Sequence, residues 1–398
     1  MRDAMVALAK RRITSIALVH QHGLALKTKY ETFTASGHRF DLTRVGMWVR
    51  FLYTPISPAF PWHLRRLIRT EKPDILHLHL PNPSAFWALA LPSARRIPWV
   101  VHWHADVITE AQGFWMKLFY LVYRPFESAV LKHANVIVAT SSPYRGSSIP
   151  LQKWLSKCQV VPLGVDVARF EKPTFGSKVL AENEYAPPKD PLITGSPATG
   201  LPSTVAVSNR LPALQVLAVG RLTYYKGFRY MIEAASQVAG VHISLVGDGD
   251  QAEELMSLVN SLDLQDRVKF EGHLSNDLLA KRMAECDCLC LPSIERTEAF
   301  GMVLLEAMHF GKATVISNVA GSGMGWIVDN GSTGIKVKPA NPDALAEAFK
   351  RLLADPEELS DMGRQGKIKF DQQFEINHAV EGLVKIYQHA VNKNTKEQ

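Results

Sequence analysis

Short apolar runs alternate along the chain with longer stretches in which apolar residues recur every three or four positions. The runs at 13–19, 75–80, 99–103, 135–140, 159–161, 215–219, 241–246, 268–271, 288–291, 313–316 and 335–337 read as buried strands. The stretches at 2–12, 58–70, 113–131, 300–310, 342–353, 357–370 and 375–390 read as helices, with a shorter one ending near Ser156 and Asn341 as the cap of the helix that follows it. Strand-helix alternation of this kind predicts an α/β protein with parallel sheets. Ligands in such sheets bind beyond the carboxyl ends of the strands.

The chain has 398 residues, long for one domain and natural for two. Between 171 and 212 the periodicity stops, and Pro187, Pro188, Pro191, Pro197, Pro202 and Pro212 stand among Gly, Ser and Thr, the composition of a loop or partly disordered insertion. Residues 296–311, R-T-E-A-F-G-M-V-L-L-E-A-M-H-F-G, follow the apolar run at 288–291. Glu298 falls on the loop beyond that strand and Glu306 about two turns into the next helix, whose first N–H groups, from Gly301, Met302 and Val303, suit a phosphate. Two carboxylates around an anion site suit a ligand with hydroxyls on both sides of a phosphate, the shape of a sugar nucleotide. The formal charge of +7 agrees with an anionic partner: a nucleotide, phospholipid headgroups or nucleic acid. Cys286, Cys288 and Cys290 alternate and would face one way in a strand, as buried core thiols.

The segment E-A-F-G-x-x-x-x-E resembles the donor motif of glycosyltransferase family 4, retaining enzymes with the GT-B fold of two Rossmann-like domains whose parallel sheets face each other across a cleft. The resemblance divides the chain into an acceptor-side domain at 1–165, a linker and insertion at 166–212, a nucleotide-sugar domain at 213–370, and a helix and tail at 371–398 that cross back to the first domain. It implies that Glu298 orients the sugar hydroxyls, Glu306 the ribose, and that Phe300, Gly301 and Met302 line the donor. Arg221 and Lys226, in G-R-L-T-Y-Y-K-G after the strand at 215–219, match the family's basic pair on the diphosphate. His104, in W-H-A-D where the commoner form is W-H-S-D, would reach the sugar from the opposite domain, with Asp106 beside it. Gly247, in V-G-D-G, would approach the donor, and His273 lies where relatives receive the base. Asp248 and Asp250 are taken as part of that turn, so neither metal nor other cofactor is expected.

The family's first strand and its Gly-Gly loop have no counterpart after Met1, so the first domain is expected to be incomplete at its start, and an in-frame extension encoding both is expected upstream. His77 and His79 read as structural or lining residues, and 58–70 as an amphipathic basic helix, either solvated or facing anionic lipid. The aromatic-rich stretch 113–131 reads first as a core helix with a broad apolar face, and otherwise as a patch for a membrane or a lipid-linked acceptor. Without a signal peptide or an apolar run of membrane-spanning length, the expectation is a cytoplasmic protein, at the inner membrane's cytoplasmic face if lipid is involved. The partners implied are a nucleoside diphosphate sugar and a lipid-linked or oligosaccharide acceptor. Nucleic acid rests on charge alone and is not expected. Alternatives are a GT-B sugar nucleotide epimerase or hydrolase, and a truncated, non-catalytic nucleotide-sugar-binding protein.

Overall fold

The computed structural model describes residues 2–21, 23–51, 54–107, 113–171 and 213–397, so the insertion at 172–212 lies outside the described residues. Strands are β1 (Ala17–His20), β2 (Lys29–Ala35), β3 (His38–Val45), β4 (Val49–Phe51), β5 (Thr54–Ile56), β6 (Leu76–Leu80), β7 (Trp99–Trp103), β8 (Val136–Ala139) and β9 (Cys158–Val160). They continue with β10 (Leu214–Val219), β11 (Val241–Val246), β12 (Val268–Gly272), β13 (Cys288–Leu291), β14 (Ala313–Ser317) and β15 (Gly334–Val337). The second domain is one parallel sheet in the order β12-β11-β10-β13-β14-β15. Its strands are nearly continuous apolar runs because helices cover both faces.

The first domain is not a single sheet. β6-β7-β8-β9 form a parallel sheet, whereas β1-β3-β2 form a separate mixed one, with β1 parallel to β3 and β2 antiparallel to it. β1 and β6 are each the edge strand of their own sheet, and across the gap His20 Nε2 lies 2.8 Å from Ser84 Oγ. The β2-β3 hairpin was not legible because polar residues fill most of its positions, and the β4-β5 hairpin because its strands are only three residues long. The helix Gly113–His133 also departs from its first reading: Met116, Tyr123, Val130 and Leu131 are buried, but Leu118, Leu121, Val122 and Phe126 are exposed. Cys288 and Cys290 share a core face as expected, while Cys286 stands just before β13 and packs with the opposite cluster. Burial raises all three thiols, Cys286 to about 12.

The C-terminal helix Ile376–Glu397 returns to the first domain. Leu383, Ile386 and Ala390 pack on Val100, Val136, Val138 and Val161, and Val380 packs on Ala7 and Leu8 of the helix Arg2–Ala9. The chain therefore crosses between domains a second time, beside the first crossing. Val165 N–H donates to the Phe374 carbonyl (3.0 Å), and Ile376 N–H to the Val165 carbonyl (3.1 Å). Among the described residues no helix is long and apolar enough to cross a membrane.

Candidate active site

β10 lies between β11 and β13, and the chain runs outward from it in both directions, which opens a crevice at the carboxyl ends of β10 and β13. Arg221 and Lys226 follow β10, and Glu298 follows β13. Lys226 is buried, and its Nζ lies 2.5 Å from Glu298 Oε2. Ser293 Oγ donates to the same carboxylate oxygen (3.3 Å), and Ile294 N–H donates to the Tyr225 carbonyl (2.8 Å), which ties the two loops together. Gly247, after β11, has φ +137°, and a Cβ there would stand 1.9 Å from the Gly220 carbonyl oxygen, so only glycine lets these loops touch. The helix Met302–His309 starts at Gly301, φ +88°, with no side chain capping it, so its leading N–H groups face the crevice end of β13.

Phe300 and Met302 differ in what they can offer. The Phe300 ring is buried in the core against Phe374, leaving only its backbone for a ligand, whereas Met302 is partly exposed. His273 is exposed beyond β12, where Gly247 N–H donates to the Gly272 carbonyl (2.8 Å). Asp248 and Asp250 are exposed, and Asp248 Oδ1 accepts from Gly249 N–H (2.7 Å), closing a turn.

From the first domain, His104 follows β7 and lines a cavity of about 360 Å³ with His20, His79, Asn82 and Pro55. Its Nε2 lies 2.7 Å from His79 Nδ1, and burial lowers the imidazole to about 4, so it is neutral at pH 7. Asp106, expected beside the donor, instead has both carboxylate oxygens engaged by protein. Oδ1 accepts from Trp103 Nε1 (2.9 Å) and Ser148 Oγ (2.6 Å), and Oδ2 pairs with Arg296 of the other domain (2.9 Å). Arg296 also stacks over Tyr144 at 4.9 Å, and Ser147 Oγ donates to the Gly321 carbonyl (3.1 Å). Arg296 is two residues from Glu298, and Asp106 two from His104, so this pair brings the two halves of the candidate site face to face.

Glu306 is likewise occupied. Arg169, from the linker after β9, donates to its Oε1, and the same guanidinium lies 3.7 Å from Asp3. Burial raises the Glu306 carboxyl, and Arg169 opposes that shift. Arg169 carried no motif; the usable signal was that a buried helix carboxylate requires a cation. Glu127 is a second residue that the pattern hid, one of several charged positions on the helix Gly113–His133 and a buried one. It is 1% exposed, accepts from Tyr120 Oη (3.1 Å), and its Oε1 has no partner among the described residues. Burial pushes it up to about 7. A carboxyl raised above its unfolded value contributes stability below pH 4.5 that is lost as pH rises through 7. Glu127→Gln is therefore expected to be more stable than the parent at pH 9, by up to about 3 kcal/mol, and to lose that advantage at pH 4. Denaturant melts at both pH values check this; a pH-independent difference would contradict it.

With this geometry in place, comparison with known proteins gives one answer. Glycosyltransferase Family 4 matches residues 2–169, and glycosyl transferases group 1 matches residues 208–369. The chain is 27% identical over 301 residues to the D-rhamnosyltransferase WbpZ of Pseudomonas aeruginosa, covering 76% of this chain and 70% of that one. It is 26% identical over 320 residues to the O-antigen chain mannosyltransferase C of Escherichia coli, covering 79% and 75%. Among solved structures, sucrose-phosphate synthase from Thermosynechococcus elongatus superposes with TM-score 0.72 at 20% identity over 97% of this chain and 91% of that one. HepE of Anabaena in complex with UDP superposes with TM-score 0.61 at 21% identity over 83% and 82%. Two parallel-sheet domains, a strand-end crevice with a basic loop facing a glutamate loop, and paired family matches along the chain together make it a glycosyltransferase of the family 4 type, with the GT-B fold and a nucleotide-sugar donor.

Proposed function

We propose that the enzyme transfers mannose or a related hexose from a nucleoside diphosphate sugar to a hydroxyl of a lipid-linked or polysaccharide intermediate, with retained anomeric configuration and without a metal. The observation that carries this reading is the meeting of Lys226 with Glu298 beside the uncapped start of the helix Met302–His309. In the reaction the bond from the anomeric carbon to the diphosphate breaks, the acceptor oxygen bonds to that carbon on the same face, and the acceptor's proton passes to the departing diphosphate. Negative charge grows on the departing diphosphate. Arg221, the remaining Lys226 N–H donors and the helix N–H groups are the groups set to stabilise it. Glu298, held by Lys226 and Ser293, would orient sugar hydroxyls, and neutral His104 would bond the sugar from the other domain. Glu306 would take the ribose hydroxyls in exchange for, or alongside, Arg169. The named mannosyl- and rhamnosyltransferase relatives favour this sugar class and a surface-polysaccharide acceptor.

An anionic membrane is the proposed location of the acceptor. Trp62, Arg65, Arg66 and Arg69 project from the helix Phe60–Glu71, and Trp87 and the exposed face of Gly113–His133 add an apolar patch. Apolar side chains beside basic ones suit the headgroup boundary.

Glu298→Ala is expected to lower turnover at subsaturating donor without unfolding the chain, and parental turnover would sink the assignment. Arg221→Ala combined with Lys226→Ala should cost more than about two decades in kcat, since each positioned donor is worth roughly 2.7–4 kcal/mol. An unchanged rate would put the chemistry elsewhere. For the metal, transfer should not depend on magnesium or manganese; activity lost in chelator and restored by either ion would overturn that part of the reading. Leu121→Asp with Phe126→Asp should reduce co-sedimentation with vesicles containing anionic lipid, and undiminished sedimentation would remove this surface from consideration.

A further inference from the structure

Four histidines form a ladder on two neighbouring strands: His77 and His79 on β6, His102 on β7, and His104 just beyond it. His79 is the register partner of His102. The rings lie nearly parallel, with centroids 4.4–5.3 Å apart and interplanar angles of 5–20°. Only His104 has a part in the proposed transfer chemistry. The inner three are costly where they stand. Neither ring nitrogen of His102, nor Nε2 of His77, has a partner among the described residues, and a buried polar atom left unpaired typically costs about 1–3 kcal/mol. His102 is only 5% exposed.

We propose that His77, His79 and His102 form a binding site for one borderline transition-metal ion of the Zn²⁺ class, enclosed between the β6-β7 sheet and the C-terminal helix. One ring nitrogen from each of the three lies within 4.8 Å of the others. Imidazole nitrogens are favoured ligands of such ions, and magnesium or manganese prefer oxygen. The hydrogen bonds already present are those that metal-binding histidines use on the far side of the ring: His77 Nδ1 lies 2.6 Å from Tyr387 Oη, and His79 Nδ1 lies 2.7 Å from His104 Nε2. Both bonds leave Nε2 as the atom for the ion. Zn–N bonds of about 2.0–2.1 Å on a tetrahedral centre place ligand atoms roughly 3.3 Å apart. Binding therefore requires the three rings, nearly parallel as they stand, to rotate on strands whose pairing is fixed until their lone pairs converge on the ion. The ion's role is structural, joining the returning helix through Tyr387 to β7, which ends just before His104.

The test is Zn²⁺ titration of the full chain, stripped with chelator, in competition with a chromophoric chelator. One equivalent is expected per chain, together with a rise in melting temperature. His102→Gln and His77→Gln should each lower the affinity at least a hundredfold, Tyr387→Phe about tenfold, and His389→Gln, at an exposed position of the same helix, not at all. No stoichiometric binding to the parent, or binding undiminished in the first two variants, overturns the site. If a ladder variant fails to fold, X-ray absorption on the Zn²⁺-loaded parent decides: three imidazole nitrogens near 2.0 Å support the proposal, and two or fewer overturn it.

Discussion

One carboxylate joins the two halves of this enzyme at the mouth of the cleft. Asp106 accepts from Trp103 and Ser148 within its own domain and from Arg296 across the cleft, with its side chain only 8% exposed. An ion pair so placed gains little net energy from its charges alone, since both were taken out of water. What it fixes is position. Trp103 and Ser148 leave one oxygen for Arg296, and the Arg296 guanidinium in turn sits over the Tyr144 ring, so the segment leading to Glu298 is anchored to the one that follows His104. Removing either partner would strand the other in a poorly hydrated place.

Within the second domain the corresponding constraint is backbone proximity. Gly220 and Gly247 let the loops after β10 and β11 touch, and the loop after β13 is tied to the first of them through Tyr225 and Ile294. Lys226 and Glu298 can then form their ion pair while keeping further hydrogen-bonding capacity for a ligand. Preorganisation of this kind matters more than the strength of any one bond, because a donor that meets fixed charges need not reorganise them.

Much of this was legible in the sequence, and for identifiable reasons. Strands made mostly of buried apolar residues stand out from their surroundings, so β7, β11 and β13 emerged with the same bounds that the structure gives them. The loops after β10 and β13 were legible because Arg221, Lys226 and Glu298 follow apolar strands, with Glu306 on the helix beyond. What stayed hidden depends on tertiary partners. The polar hairpin of β2 and β3, the division of the first domain into separate sheets, and the outward apolar face of Gly113–His133 are set by what lies beside them. The same holds for Asp106 and Glu306: residue type and position suggested a ligand, while Arg296 and Arg169, distant in sequence, occupy them in the structure.

The double crossing between domains has a mechanical meaning. Val165 and Glu375 pair in parallel, Val165 is bonded on both sides to the second crossing, and a Cβ on Gly164 would come within 2.8 Å of the Ile376 Cα. A single connecting strand would let one lobe swivel and slide over the other in any direction. Two strands stitched side by side behave as a door hinge: twisting and shearing would tear the stitching, while swinging about the line they define leaves it whole. Swinging about that line is the motion the stitching resists least, and it is the motion that would part Arg296 from Asp106.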